Sequence, residues 1–128
     1  MFDWREHDPR KHIRKLRYVA DGFKDSWETS SGFRLHLMAD MVAFGLGGIF
    51  AVSFTCWLGL VIVFILKTAA EPFNSAIEEL VNELYERNHS LQAKRIKDFA
   101  ALGVFATVIG SVIIWAMIFV PEVYEIVS

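Results

Sequence analysis

Residues 71–81 carry the side chains that are best spaced to do chemistry, at the point where a long apolar run gives way to regularly placed polar groups. On a helix Glu71, Asn74 and Glu78 project from one face within about two turns. Glu71 follows directly on apolar sequence, so its carboxylate is predicted near a membrane boundary, where a charge is costly to hold. The pattern indicates either a functional site or a polar seam between packed helices, and the spacing alone does not choose between them.

Two neighbours shape the expected surroundings of Glu71. Lys67 lies four residues before it, so the two side chains could pair on one helix face and hold the carboxylate ionised. Pro72 has no amide to offer the carbonyl of Thr68, which predicts a kink in the helix beside Glu71. The carboxylate is therefore expected in a charged and locally bent helix segment.

The composition indicates a membrane protein of about one domain. Hydrophobic residues make up 54% of the 128 residues, which is too large a share for a small soluble domain. Of the 13 Lys and Arg residues, eight lie before residue 35, and none follows Lys97. The one cysteine, Cys56, excludes an intrachain disulfide, and the four histidines do not have the spacing of a metal site. We expect no nucleic-acid partner.

Residues 10–30 are predicted to form an amphipathic helix on the cytoplasmic membrane surface. Their apolar side chains recur at helical spacing while basic side chains crowd the remaining surface, as on a helix that binds anionic headgroups. The alternative is a helix that packs on other helices and keeps its basic residues solvated. The apolar positions are Ile13, Leu16, Phe23 and Trp27, and the basic ones are Arg10, Lys11, Arg14, Lys15 and Arg17. The amino terminus has no early apolar core, so no secretory signal peptide is expected.

The charge-free stretch 41–66 could form one long span or a helical hairpin. A hairpin that turns near residues 53–56 keeps both basic segments on the cytoplasmic side, as the positive-inside rule prefers. We therefore predict a first span over about 33–53 and a second over about 57–84 that extends into the cytoplasm. The first span then includes two polar residues, His36 and Asp40.

Residues 99–120 are uncharged and form the clearest span, which we expect Pro121 to end. Just before this span lie three charged residues, Lys94, Lys97 and Asp98. Without other information they could simply anchor the helix at the membrane interface. The predicted architecture is a single all-α integral membrane domain over 1–128. It has three transmembrane helices, an amino-terminal amphipathic surface helix and a cytoplasmic amino terminus.

Two motifs together resemble those of a known family. EPFNSAIE at 71–78 and AKRIKDFAA at 93–101 are both flanked by apolar spans. The family of small prokaryotic diacylglycerol kinases and undecaprenol kinases carries a Glu, two apolar residues and NSAIE or NTAIE, followed by AKxAKDxAA before the last span. The chain is similar to this family over about residues 11–120. The amino-terminal match is looser and runs through Tyr18, Gly22, Phe33, Arg34 and His36.

The resemblance implies a homotrimer of three-span subunits in the bacterial inner membrane that uses ATP and Mg²⁺ to phosphorylate a lipid alcohol. By similarity Glu71 would be the general base, and Glu78 would hold the Mg²⁺ that bridges the ATP phosphates. Asn74 would position groups near the reacting phosphate, Lys97 would neutralise phosphate charge, and Asp98 would orient the nucleotide or the lysine. The resemblance also places Tyr18 and Lys94 at the nucleotide, and Trp27, Phe33 and Arg34 at the lipid substrate.

The chain departs from the family pattern at Ser30. There the family has a Glu that shares the metal with the Glu matched by Glu78. Glu28 lies two residues before Ser30, about 200° round a helix, so it is the weaker candidate for a metal ligand. The neighbouring Ser31 and Gly32 stand where Arg and Asn are usual. The departure could mean a rearranged site, an altered substrate choice, or a trimer that has lost kinase activity.

Three functional hypotheses remain open from the residues. The first is a lipid kinase with Glu71 as its base, and the sequence does not choose between diacylglycerol and undecaprenol as substrate. The second is a non-catalytic membrane trimer that binds lipid or nucleotide, or scaffolds a partner. The third is a small proton-coupled transporter that uses Lys67 and Glu71.

Overall fold

The computed structural model describes residues 9–88 and 90–128, with side chains from residue 13 onward, and it consists of four α-helices. They are α1 (Pro9–Thr29), α2 (Ser31–Ile49), α3 (Phe54–Leu84) and α4 (Leu91–Val127). No strand occurs within the two described ranges, so the predicted all-α class is confirmed. The predicted basic surface of the first helix includes Arg10 and Lys11, which lie outside the described side chains.

Each of the last three helices begins after a serine that closes its first turn. Ser30, Ser53 and Ser90 each accept a hydrogen bond on Oγ from the backbone N–H three residues further on, at 3.0, 3.4 and 2.9 Å. A serine in this position satisfies one of the four amide donors that a helix leaves without an internal partner. The serines therefore determine where α2, α3 and α4 begin.

The corner between α1 and α2 is held by side chains from both helices. The Arg34 guanidinium donates hydrogen bonds to the carbonyl oxygens of Trp27, at 2.5 Å, and Glu28, at 3.2 Å. These carbonyls belong to the last turn of α1 and have no acceptor role within the helix. The rings of Phe23 and Phe33 meet edge to face with centroids 5.4 Å apart. Arg34 and the two rings together fix the angle at which α1 leaves α2.

The hairpin between α2 and α3 turns earlier than the charge pattern predicts. Residues 50–53 connect the two helices, so the predicted turn at 53–56 is wrong by about three residues. The reason is the Ser53 cap, which starts α3 at Phe54. The helices approach closely at Gly47, where a Cβ would lie 3.1 Å from Leu60 Cδ1. The turn and this close approach determine which residues of α2 face which residues of α3.

The fourth helix packs along α3 and completes the apolar core. Buried core residues come from three helices and the turn and are surrounded by aromatic rings: Ala43, Val52, Leu60 and Ile118, with Phe44, Trp57, Trp115 and Phe119. Pro121, expected with Glu122 to end the span, does not end the helix, because α4 continues to Val127. A proline removes one helical hydrogen bond and bends a helix without necessarily ending it, and α3 likewise continues through Pro72.

Two of the helices, α3 and α4, are long and apolar enough to cross a membrane. Large apolar side chains remain exposed along both, among them Ile62, Ile65, Leu66, Phe105, Ile113 and Met117. An apolar surface of this extent suits contact with lipid or with other subunits. The helix α2 carries Arg34, His36 and Asp40 and does not meet the same criterion, so its role as a third span stays a prediction.

Candidate active site

Glu71 lies on α3 beside the first turn of α2, and only 8% of its surface is exposed. A Cβ on Gly32 would come within 2.5 Å of Glu71 Oε1, so a side chain at position 32 would collide with the carboxylate. Gly32 therefore leaves the space that the carboxylate occupies. The amino end of a helix also favours a negative charge, because the helix dipole is positive there.

His36 holds the Glu71 carboxylate from one turn further along α2. Its Nε2 lies 3.1 Å from Glu71 Oε1, which is hydrogen-bonding distance. An imidazole that carries its proton on Nε2 donates to this oxygen. Gly32 and His36 thus place one carboxylate oxygen between the first two turns of α2.

The predicted pairing of Lys67 with Glu71 is wrong. Lys67 Nζ lies 2.8 Å from Asp40 Oδ1, and both side chains are 2% exposed. The ammonium also lies 4.2 Å from the ring centroid of Trp115 on α4, a cation–π distance. A carboxylate on the facing helix and an aromatic face on a third helix draw Lys67 into the bundle, away from the neighbour on its own helix.

Asn74 and Glu78 share the helix face of Glu71, as the spacing predicts for a helix. Asn74 Nδ2 donates to Glu78 Oε1 at 3.0 Å. The other end of this amide, Oδ1, is buried and has no hydrogen-bond partner within residues 9–88 and 90–128. A buried acceptor without a donor is uncommon and costs stability, so it marks a place where a ligand or a metal can complete the bonding. Glu78 itself is exposed.

The three residues of α4 that are predicted at the nucleotide fall into two groups. Lys97 Nζ donates to Asn82 Oδ1 of α3 at 2.5 Å. Lys94 and Asp98 pair with each other at 2.6 Å on the exposed side of α4. Lys97 therefore lies beside the polar face of α3, while Lys94 and Asp98 form a surface pair. The sequence analysis missed Asn82, although it lies four residues after Glu78 on the same helix face.

The residues predicted on α1 lie apart from this face. Tyr18 and Glu28 are exposed, and Glu28 lies 3.8 Å from Lys24 on its own helix. Among the described residues neither makes a hydrogen bond or an ion pair to the polar face of α3. The predicted lipid contacts Trp27, Phe33 and Arg34 meet at the corner between α1 and α2. Phe33 is buried there.

An open apolar cleft of about 620 Å³ lies between α1, α2 and α3. Phe33 and Pro72 line it, and Pro72 directly follows Glu71 in the chain. The remaining lining comes from the facing sides of α1 and α3: Val19, Gly22, Phe23, Ser26, Thr68, Ala69, Phe73 and Ala76. Glu71 is not one of the lining residues, but its neighbour Pro72 is, and so is Phe33, the neighbour of the Gly32 that the carboxylate packs against. The walls of the cleft suit a hydrocarbon chain.

Two oxygen-bearing side chains on the polar face of α3 are of the chemical kind that binds magnesium. Magnesium is commonly held by one or two carboxylates together with phosphate oxygens and water. Glu78 supplies one carboxylate, and the unpartnered Oδ1 of Asn74 supplies a neutral oxygen nearby. Within residues 9–88 and 90–128 no three His, Cys, Asp or Glu side chains cluster as a self-sufficient metal site.

Ser30, which stands where the family pattern has a glutamate, has a structural role. Its hydroxyl caps α2 by accepting from the Phe33 amide at 3.0 Å. A side chain engaged as an N-cap sets the first turn of the helix that carries Gly32 and His36. Ser30 thus acts on the site through the position of α2.

Ser30→Ala is expected to lower the free energy of unfolding by about 1 kcal/mol, the usual loss when a serine N-cap is removed. Ser30→Asp is the control because aspartate caps helices as well as serine does. Thermal unfolding in detergent micelles, followed by circular dichroism at a helical wavelength, measures both. Equal losses in the two variants would contradict the capping role.

The fold and this site define a class before they define a family. The chain is a small all-helical membrane protein in which a buried carboxylate belongs to a polar helix face and the residue that follows it lines an apolar cleft. The family model described as prokaryotic diacylglycerol kinase matches residues 17–119, and the chain belongs to that family. The resemblance carried by the two sequence motifs is thereby confirmed.

Curated relatives agree with the family model. The chain is 27% identical over 114 residues to the diacylglycerol kinase of Escherichia coli strain K12, a match that covers 83% of this chain and 86% of the relative. The diacylglycerol kinase of Shigella flexneri matches with the same identity and coverage. The match therefore extends over most of both chains.

Proposed function

We propose that this chain is a membrane lipid kinase that transfers the γ-phosphate of ATP to the hydroxyl of a lipid alcohol, either diacylglycerol or undecaprenol. Family membership and the names of the relatives support the reaction class. The observation that carries the proposal is the position of Glu71. This carboxylate belongs to a face that also carries a carboxylate and an amide and lies beside a lysine for the nucleotide, and Pro72, the next residue in the chain, lines a cleft that suits a hydrocarbon chain.

Glu71 acts as the general base in the proposed reaction. His36 contacts Oε1, which leaves Oε2 to accept the proton of the lipid hydroxyl. As that proton leaves, the hydroxyl oxygen bonds to the γ-phosphorus, and the bond from phosphorus to the β–γ bridging oxygen breaks. ADP departs with the electron pair of that bond. The apolar cleft holds the lipid tail so that only the alcohol reaches the carboxylate.

The nucleotide lies along the polar side of α3 in this proposal. Glu78 and Asn74 Oδ1 would hold Mg²⁺, which neutralises charge on the ATP phosphates when it is bound. Lys97 donates to a phosphate oxygen after exchanging its contact with Asn82. Lys94, Asp98 and Tyr18 are proposed to contact the nucleotide from the exposed surfaces of α4 and α1.

The proposed topology is a homotrimer of three-span subunits in the bacterial inner membrane, with a cytoplasmic amino terminus. The charge of Asp40 does not oppose a membrane location for α2, because Lys67 neutralises it within the bundle. Exposed apolar side chains on α1, such as Leu16 and Trp27, suit a helix that lies on the membrane surface. The exposed apolar surfaces of α3 and α4 supply area for lipid and for neighbouring subunits.

The structure offers some support for a non-catalytic trimer and none for a transporter. A non-catalytic nucleotide- or lipid-binding trimer draws support from Ser30, which caps a helix where the family has a metal-binding glutamate. The transporter hypothesis depends on Lys67 acting together with Glu71. The structure pairs each of these residues with a side chain of α2 instead, so no observation favours it.

Transfer of labelled γ-phosphate tests the proposal. The purified protein in mixed micelles receives ATP and either diacylglycerol or undecaprenol in parallel, with and without magnesium. Magnesium-dependent label in one lipid would establish the kinase and identify its substrate. Nucleotide binding without label in either lipid, from a folded protein, would overturn the kinase and favour the non-catalytic trimer.

Gly32→Ala is expected to lower the rate of this transfer by about tenfold to a hundredfold. Its Cβ would come within 2.5 Å of Glu71 Oε1, so the carboxylate must move, and a displacement of about 1 Å at a reacting group can cost about a hundredfold. Gly45→Ala on the same helix is the matched control, because a Cβ there meets nothing within 4 Å. The comparison measures kcat for both variants, and equal rates would contradict the proposed crowding.

A further inference from the structure

Two pairs of side chains, one helical turn apart, connect α2 to α3. His36 contacts Glu71 at 3.1 Å, and Asp40 contacts Lys67 at 2.8 Å. Asp40 lies one turn after His36 on α2, and Lys67 lies one turn before Glu71 on α3. The two pairs are therefore stacked on facing sides of antiparallel helices, with the catalytic pair one turn from the charged pair.

The Asp40–Lys67 pair, called the lower pair here, links three helices, and the His36–Glu71 pair is called the upper pair. Asp40 belongs to α2, Lys67 to α3, and the ring of Trp115 on α4 lies 4.2 Å from the Lys67 ammonium. Both charged side chains are 2% exposed, so a slide of α2 along α3 would strand each charge in an apolar interior. Buried polar pairs of this kind specify the register of packed helices in other systems.

Stability alone does not account for the lower pair. Asp40 Oδ2 is buried and has no hydrogen-bond partner among the described residues, so within this part of the chain one oxygen of the carboxylate is desolvated and uncompensated. Apolar side chains of similar size commonly stabilise a fold as well as a buried ion pair does. The Asp40–Lys67 pair is not optimal for stability, and it lies one helical turn from the base. Both properties suit a role in positioning that base.

We propose that the Asp40–Lys67 pair is a positioning device that sets the α2–α3 register at which His36 holds the Glu71 carboxylate. The inference rests on the proposed function for its consequence in catalysis. The structural part of the inference is that the His36–Glu71 contact depends on the lower pair, and this part does not depend on the proposed function. Asp40 and Lys67 touch neither substrate nor nucleotide in this scheme and act through His36 and Glu71.

The test replaces both charges at once, because removing either alone leaves the other buried and unpaired. Asp40→Leu combined with Lys67→Met removes both charges and puts an apolar side chain of similar shape at each position. We expect kcat to fall about tenfold while KM for ATP stays within about twofold, since the base is displaced and the nucleotide contacts are not. Leu60→Met, a volume-conserving change in the same interface, is the control and leaves kcat unchanged.

A second readout does not depend on turnover. The imidazole ¹⁵N signals of His36, assigned by their loss in His36→Gln, report the hydrogen bond to Glu71. We expect the double variant to shift these signals toward those of a free imidazole and Leu60→Met to leave them in place. Unchanged His36 signals in the folded double variant would overturn the inference, whatever happens to kcat. Unchanged kcat would overturn its catalytic part.

The two readouts also separate this inference from the proposed function. If the wild-type protein transfers no phosphate, the kinase proposal fails. A shift of the His36 signals in the double variant would still establish that the lower pair positions the upper one. If the wild type is active and the double variant is indistinguishable from it in both readouts, the kinase stands and the positioning role is refuted.

Discussion

Glu71→Gln is expected to reduce transfer of the γ-phosphate to lipid by about 10²- to 10⁴-fold, the range that a general base contributes. Glutamine keeps the length and shape of the side chain but cannot take the proton of the lipid hydroxyl. Its amide oxygen can still accept from His36 Nε2, so the contact that holds residue 71 beside α2 is preserved. The loss should therefore appear in kcat, with KM for ATP little changed.

Glu79→Gln is the matched control for this change. It removes one carboxylate from the same helix, but Glu79 is exposed and is not part of the proposed site. Its transfer rate is expected to stay within about twofold of wild type, since surface substitutions away from special features have small effects. Both variants are compared by single-turnover transfer of label and by helical circular dichroism. A folded Glu71→Gln protein that retains most of its activity would contradict the assignment of the base.

The polar face of α3 could be predicted from the sequence because it depends on one helix alone. A separation of three and then four residues puts Glu71, Asn74 and Glu78 on one side of any α-helix, and Asn74 does bond to Glu78 there. The all-helical class could be predicted for the same reason, since apolar runs and serine caps are local signals. Asn82 continues the same face and could have been found by extending the spacing one turn.

The partners of Glu71 and Lys67 could not be predicted, because they depend on how two helices slide against each other. Spacing on α3 alone offered each residue the other as a partner at i and i+4. The actual partners, His36 and Asp40, come from α2, and the turn at 50–53 sets their register. That turn lies about three residues before the position that loop charges indicated. Loop charges report the side of the membrane and carry no information on the register of a hairpin.

Ser30 and Gly32 differ from the residues that are usual in the family, and the structure gives each of them a role that the sequence did not indicate. Ser30 and Gly32 read as losses when each is compared with the usual side chain. In the structure Ser30 starts α2, and Gly32 admits the Glu71 carboxylate against that helix. The two changes are physically linked, since the cap places the turn in which the glycine lies. A position-by-position comparison cannot show this, because the contact of Gly32 is with a helix almost forty residues away.

Lys67→Met is expected to destabilise the fold by about 3–5 kcal/mol, the usual cost of removing one partner from a buried ion pair. Methionine fills much of the volume of lysine, so the loss comes chiefly from Asp40, which is left charged and desolvated. One oxygen of Asp40 already has no partner in the part of the chain that the structure describes, and Lys67→Met would remove the bond to the other. Reversible unfolding in mixed micelles of increasing denaturing-detergent content, followed by circular dichroism, measures the change.

Adding Asp40→Leu to Lys67→Met should recover most of that loss, although it makes a second change to the core. With both charges gone no group is left desolvated, and apolar replacements of buried ion pairs are commonly neutral or stabilising by about 1–4 kcal/mol. Leu60→Met gives the background cost of repacking this interface, expected to be below about 1.5 kcal/mol. A double variant as unstable as Lys67→Met would mean that the ion pair itself stabilises the bundle. Recovery of stability together with a displaced His36 would instead separate the two roles, because the charges would then be dispensable for folding and required for placing the base.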